Sequence, residues 1–147
     1  MNIWVWPAGL MAALAIRAAV PVSATLVDKP VTVVVVVPKT ARRAQALLLQ
    51  LEQVIRPKSV PVTFNIFAEM PAANMKTSVD DPHFVGYVTA LANPSALAKP
   101  VGLTVQIADP ASRSIRMMPA ARFTFVPMEK FPEGGVRIGS IRIESVK

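Results

Sequence analysis

The sequence contains no cysteine and only one histidine among its 147 residues. The absence of cysteine excludes disulfide bonds, thiolate nucleophiles, and zinc or iron–sulfur sites held by cysteine. A histidine-based triad needs a nucleophile beside its base, and no serine of this chain lies in a G-x-S-x-G motif. A single histidine, His83, therefore indicates a chain that does no chemistry alone, and the sequence predicts neither catalytic residues nor a cofactor.

Glycine and charged residues are also scarce. Six glycines stand against fourteen prolines, and charged residues make up 17% of the chain. Because a proline inside a helix costs about 3 kcal/mol, this composition disfavours long helices and suits short strands separated by turns. The apolar fraction of 52% is too high for a disordered chain.

The formal net charge of +7 does not by itself indicate a nucleic-acid partner. Nucleic-acid-binding domains usually combine a clustered basic stripe with aromatic side chains. Here the basic residues are scattered, Arg42 and Arg43 are the only adjacent pair, and aromatic residues make up 6%. We therefore expect a solvated basic surface and no nucleic-acid binding.

The chain also lacks an apolar run long enough to cross a membrane. The uninterrupted apolar stretch near its start covers only Ala8 to Ile16, whereas a membrane span needs about 20 residues. Residues 1–24 end in Val22-Ser23-Ala24, a pattern typical of signal-peptidase cleavage, although no basic residue precedes the apolar stretch. The sequence predicts a signal peptide in residues 1–24, a secreted or periplasmic location after cleavage near Ala24, and one domain in residues 25–147. An uncleaved apolar tail and the remnant of a longer reading frame stay open.

Strand-length segments with alternating apolar residues fill the rest of the chain. Val31 to Val37 is nearly pure valine between two prolines, and β-branched residues favour strands. Because this run is apolar on both faces, we expect it to be covered on both sides or to lie in the middle of a sheet. Further strands are predicted at 62–69, 83–91, 103–107 and 122–126, with a last pair of strands between Val136 and Ile143.

Two glycines interrupt predicted strands, and one segment has a mixed helix and strand pattern. Gly86 predicts a bulge or a close backbone approach, and Gly139 predicts a bulge. Residues 41–55 have helical propensity, yet their alternation would put Leu47, Leu49, Leu51, Gln53 and Ile55 on one face of a strand. The residues alone do not decide between the two. The fold predicted is all-β, a two-sheet sandwich of seven to eight short, mostly antiparallel strands.

Candidate metal ligands are limited to a few residues. His83 follows Asp80-Asp81-Pro82 and could bind a metal together with both carboxylates, or an aspartate could cap a turn that leads into a strand beginning at His83. Seven methionines, including Met117-Met118, could bind copper(I), but they have no repeated spacing and methionine also fills cores.

Gly134-Gly135 is interpreted as a hairpin loop, because no helix follows it to form a phosphate loop.

The order of the segments resembles the C-terminal domain of bacterial tyrosinases and plant polyphenol oxidases. The similarity covers about residues 25–145. It is carried by segments beginning LVDKPVTV at Leu26, LLLQLEQV at Leu47, VTFNIFAEMP at Val62, HFVGYV at His83, FTFVP at Phe123 and VRIGSIRIE at Val136. The resemblance implies a β-sandwich and an entry strand over Leu26 to Val33, and it implies a strand rather than a helix for residues 45–55.

The same resemblance implies a role without catalysis. In that family the domain packs on a dicopper catalytic domain, and in plant enzymes it can cover the entrance to the copper site. A dicopper centre uses six histidines, so this chain cannot hold one. We therefore expect an accessory domain that docks on a separately encoded partner, a tyrosinase-like copper oxidase, with Phe67 and Tyr87 as candidate docking residues if they lie outside the core. A fragment of a split oxidase gene and a periplasmic carrier of copper or a small ligand are the alternatives.

Overall fold

Prolines and glycines divide the chain into short extended segments. The computed structural model describes residues 21–95, 99–132 and 134–147, so most of the predicted signal segment lies outside the described residues. Within the described ranges the strands are β1 (Val22–Leu26), β2 (Val31–Val36), β3 (Ala46–Ile55), β4 (Val62–Ala68), β5 (Phe84–Ala90), β6 (Val101–Gln106), β7 (Ala120–Pro127) and β8 (Val136–Val146). A 3-10 helix covers Lys39–Arg43, and one short helix, α1, covers Ala111–Ile115.

The eight described strands form two four-stranded sheets. Sheet A has the order β1-β8-β3-β6, sheet B has the order β2-β7-β4-β5, and every pairing is antiparallel. The predicted all-β, two-sheet fold is confirmed. Residues 46–55 are a strand, as the resemblance implied, because hydrogen bonds to β6 and β8 on both sides outweigh a helix preference of a few tenths of a kcal/mol per residue.

The core lies between the sheets and is built from alternate residues of each strand. Sheet A contributes Leu47, Leu49 and Leu51, which are fully buried. Sheet B contributes phenylalanines, and the rings of Phe64 and Phe125 pack with centroids 6.0 Å apart. Burying each such side chain stabilises the fold by about 1.5–3 kcal/mol.

Paired bulges reverse the alternation halfway along β3 and β8. Gln53 adopts a φ of 52°, so Val54 follows Leu51 into the core, and the prediction that Gln53 and Ile55 share the face of Leu51 is wrong. In β8 the register with β1 shifts beside Gly139, as predicted for a bulge. The segment from Val136 onward is nevertheless one continuous strand rather than a pair, because β3 pairs with it on both sides of the bulge.

The valine strand β2 lies at an edge of sheet B. Val35 points into the core, whereas Val34 is 57% and Val36 is 74% exposed. The expectation that this run is covered on both sides or lies in the middle of a sheet is therefore wrong. Strand β2 is an edge strand because β1 and β2 belong to different sheets, and Val34 and Val36 are exposed because they lie on the outer face of sheet B.

The start of the domain also differs from expectation. Residues 26–33 do not form one entry strand, because β1 ends at Leu26 in sheet A and β2 begins at Val31 in sheet B. Strand β1 begins at Val22, so the predicted cleavage near Ala24 falls within a strand. Among the described residues, no helix combines the length and apolar character needed to span a bilayer.

Candidate functional site

The outer face of sheet B carries a second apolar cluster, which is covered by the segment 69–83. Phe67, Ala73 and Val126 are its buried members, with Met70, Phe84 and Met128 partly buried around them. The rings of Phe67 and Phe84 meet edge to face with centroids 5.6 Å apart. Phe67 is completely buried, so its assignment to an exposed docking patch is wrong. Its face of β4 does point away from the main core, but the following segment folds back over it.

Segment 69–83 is held in place by hydrogen bonds to β7 and by bonds within the segment. Glu69 leaves β4 with a φ of 57°, and its carboxylate accepts bonds from the backbone N–H of Arg122 at 2.6 Å and from the Arg122 guanidinium at 3.1 Å. Further along, Asn74 Oδ1 accepts a bond from the backbone N–H of Lys76 at 2.8 Å. The bonds from Arg122 fix the start of the cover over Phe67 to the neighbouring strand β7, and the Asn74 bond holds a turn within the cover.

Tyr87, the second docking candidate, lies on the uncovered part of the same outer face. It pairs with Asn65 across β4 and β5 and is 67% exposed. Beside it Thr63 and Thr89 share a hydrogen bond of 3.1 Å, and Leu91, just after β5, is also largely exposed. The structure therefore separates the two candidates, and only Tyr87 presents apolar surface to solvent.

The outer face of sheet A has a different chemistry. Arg142 donates to the Glu52 carboxylate at 2.8 Å, and Gln50 donates to the Glu144 carboxylate at 3.1 Å. Thr104 donates to Gln50 Oε1 at 2.7 Å, which extends this polar ladder onto β6. Such a face is solvated and polar, unlike the face that carries Tyr87.

The candidate metal ligands are placed in a tight turn before β5. The Asp81 carboxylate accepts the backbone N–H of His83 at 2.8 Å and lies 2.7 Å from the His83 ring Nδ1. These bonds, the backbone one first, lower the pKa of Asp81 from its usual value of 3.8. Asp80 is exposed and takes part through its backbone N–H, which donates to Ser78 Oγ.

This geometry corresponds to a capped turn, the second interpretation given by the sequence. In the part of the chain that the structure describes, no three His, Cys, Asp or Glu side chains are grouped so as to hold a metal ion. The methionines are spread as well. Met75 and Met117 are exposed in different loops, whereas Met118 packs against the main core.

A feature that the sequence reading missed is a groove lined by three cations, which we call the basic groove. Arg56, Lys58 and Arg137 line it together with Ser59, Ile55, the buried Pro57, Pro132, Gly134 and Gly135, and its volume is about 670 Å³. Strand pairing explains the assembly, because Ile55 at the end of β3 lies opposite Arg137 at the start of β8. In the sequence these basic residues stand apart, and only the register brings them together.

Comparison with known proteins gives one kind of match. No family model matches the sequence, and no curated protein matches it. Among solved structures, the fold matches a recombinantly expressed latent aurone synthase, a polyphenol oxidase, with a TM-score of 0.63 and 15% identity over 88% of this chain and 29% of that one. It also matches latent apple tyrosinase with a TM-score of 0.59 and 22% identity over 86% of this chain and 27% of that one.

These TM-scores establish a shared fold. The chain spans less than a third of either oxidase, and this coverage fits the C-terminal domain that the sequence resembles.

Proposed function

We propose that this chain is a non-catalytic accessory domain that docks on, and shields, the catalytic domain of a separately encoded tyrosinase-like copper oxidase. The observation that carries the proposal is the shared fold with less than a third of two oxidases that are both described as latent. A domain that accompanies a latent enzyme is suited to covering its partner. The same proposal includes secretion or periplasmic export of the chain. A chain that docks on an oxidase outside the cytoplasm has to be exported to reach it.

The outer face of sheet B around Tyr87 is the docking surface we favour. Tyr87 and Leu91 are 67% and 64% exposed, respectively. Aromatic side chains that become buried on association often dominate binding energy, commonly by 2 kcal/mol or more. The opposite face, on sheet A, is covered by ion pairs and side-chain hydrogen bonds, and these polar groups would have to be desolvated on docking.

The test combines the purified chain with the catalytic domain of a tyrosinase-like oxidase from the same host. We expect a complex in size-exclusion chromatography and a slower oxidation of a phenol substrate when the chain is added. Tyr87→Ala should weaken binding by tenfold or more, whereas Met117→Ala, which removes a similarly exposed apolar side chain elsewhere, should not. A catalytic domain that neither binds the chain nor changes rate would contradict the proposal.

The same coverage would also suit a domain joined to its oxidase in one longer product. Sequencing the host transcript distinguishes the two arrangements: a continuous frame with copper-binding histidines upstream would replace the separate partner by a covalently attached one. No contact in the described structure favours the copper-carrier alternative, since the exposed thioethers of Met75 and Met117 lie in different loops.

A further inference from the structure

The basic groove concentrates positive charge that the described structure does not neutralise. Arg113, Arg122 and Arg142 each have a carboxylate partner. None of the three cations of the basic groove has an ion-pair partner among the described residues, and its described lining contains no carboxylate. Like charges that share one groove repel each other, so an anion placed between them would be favoured.

Arg56 adds a second and independent observation. Its Nε is buried and has no hydrogen-bond partner, and it is the only side-chain atom of this kind among the described residues. A buried N–H donor without an acceptor is unfavourable, and in native proteins such an atom usually meets a water or an ion. Arg56 therefore lines a groove of unneutralised charge and has one side-chain donor unused beside it.

Backbone contacts hold the walls of the groove on two sides. Gly134 and Gly135 form a turn with φ angles of 84° and 56°, closed by a bond of 2.9 Å from the Gly135 N–H to the Pro132 carbonyl. Gly135 lies so close to the carbonyl of Leu26 that a side chain would not fit. On the other side, the carbonyl of the buried Pro57 accepts the Asn93 N–H at 2.8 Å. A fixed wall reduces the ordering cost of binding.

We propose that the basic groove is a binding site for a phosphate-type oxyanion. Arginine guanidinium groups bind phosphate through paired N–H bonds, and a divalent anion balances three cations better than a single carboxylate does. The second basic surface of the chain, around Lys39, Arg42, Arg43 and Lys147, is also open and charged but has no buried unpaired donor among its described atoms. The basic groove is therefore the site, and the second surface provides a control.

Amide NMR of the full chain, titrated with inorganic phosphate at constant ionic strength, tests the proposal. We expect saturable shifts confined to Ser59, Gly134, Gly135 and the side-chain Nε–H of Arg56. Lys58→Gln, at an exposed position, and Arg137→Gln should each weaken phosphate binding at least fivefold. Lys39→Gln removes the same charge from the second basic surface and should leave the affinity unchanged.

Three outcomes would overturn the proposal. Shifts that grow linearly without saturation would show general screening, and equal weakening by Lys39→Gln would show dependence on net charge alone. Acetate binding as tightly as phosphate would remove the preference for a divalent oxyanion. No oxidase takes part in this titration, so its result is independent of the docking proposed above.

Discussion

At the scale of single residues, Gly86 allows β5 of sheet B to lie close to β6 of sheet A at one edge of the sandwich. A Cβ atom added there would lie 2.7 Å from Val105 Cγ1, and the register with β4 shifts next to it. The sequence prediction of a bulge or a close approach at Gly86 is thus confirmed, and both occur. We expect Gly86→Ala to lower the free energy of unfolding by about 1–3 kcal/mol, because a strand must move or a side chain must leave its rotamer.

Urea denaturation measures the loss of stability expected for Gly86→Ala, and Gly102→Ala is the matched control. A Cβ at Gly102 has 4.0 Å to its nearest neighbour, so that substitution should change stability by less than about 1 kcal/mol. Adding Val105→Ala to Gly86→Ala should recover part of the loss. Equal effects of the two glycine substitutions would contradict the role assigned to Gly86.

The turn at Asp81 gives a second residue-scale prediction, on pH. Hydrogen bonds from His83 lower the pKa of Asp81 in the folded state. A group whose folded pKa is depressed adds stability above its unfolded pKa and loses it as the pH falls through the folded value. Wild-type stability should therefore fall as the pH drops below about 4, and Asp81→Asn should flatten that fall. Measuring the melting temperature between pH 3 and 6 tests this prediction. The control Asp80→Asn removes a neighbouring carboxylate and should keep the wild-type dependence of melting temperature on pH.

At the scale of elements, β2 shows how the face of the sheet on which a valine lies decides what it contributes to stability. Adjacent Val35 and Val36 are 2% and 74% exposed, although the sequence gives no reason to distinguish them. Val35→Ala should cost about 1–3 kcal/mol through lost burial and the cavity left behind. Val36→Ala should change stability by less than about 0.5 kcal/mol. Chemical denaturation of both variants measures the difference, and a similar cost for both would mean that β2 is covered on two sides after all.

At the scale of the whole molecule, alternation and proline placement predicted the fold class and most strand positions. Strands β4 to β7 were expected from the residues, whereas β3 required the resemblance, because its helical propensity conceals the pairing. The burial of Phe67 could not be predicted, since it depends on how segment 69–83 folds back over sheet B. The basic groove could not be predicted either, because the register that brings Arg137 beside Ile55 is a property of the assembled sheet.

The assembled sheet also bears on the predicted processing of the chain. Strand β1 pairs Val22 with Ile141 and Ala24 with Ile138, so cleavage after Ala24 would remove three strand residues and leave Thr25 and Leu26 on β8. We expect a chain beginning at residue 25 to be less stable than one beginning at residue 21 by about 1–3 kcal/mol, since ladder bonds and partly buried apolar contacts are lost. Urea denaturation compares the stability of the two chains, and mass spectrometry of the protein isolated from its host identifies the natural N-terminus. If both chains were equally stable, β1 would add nothing to the fold before Thr25, and a mature chain starting there would lose no stability.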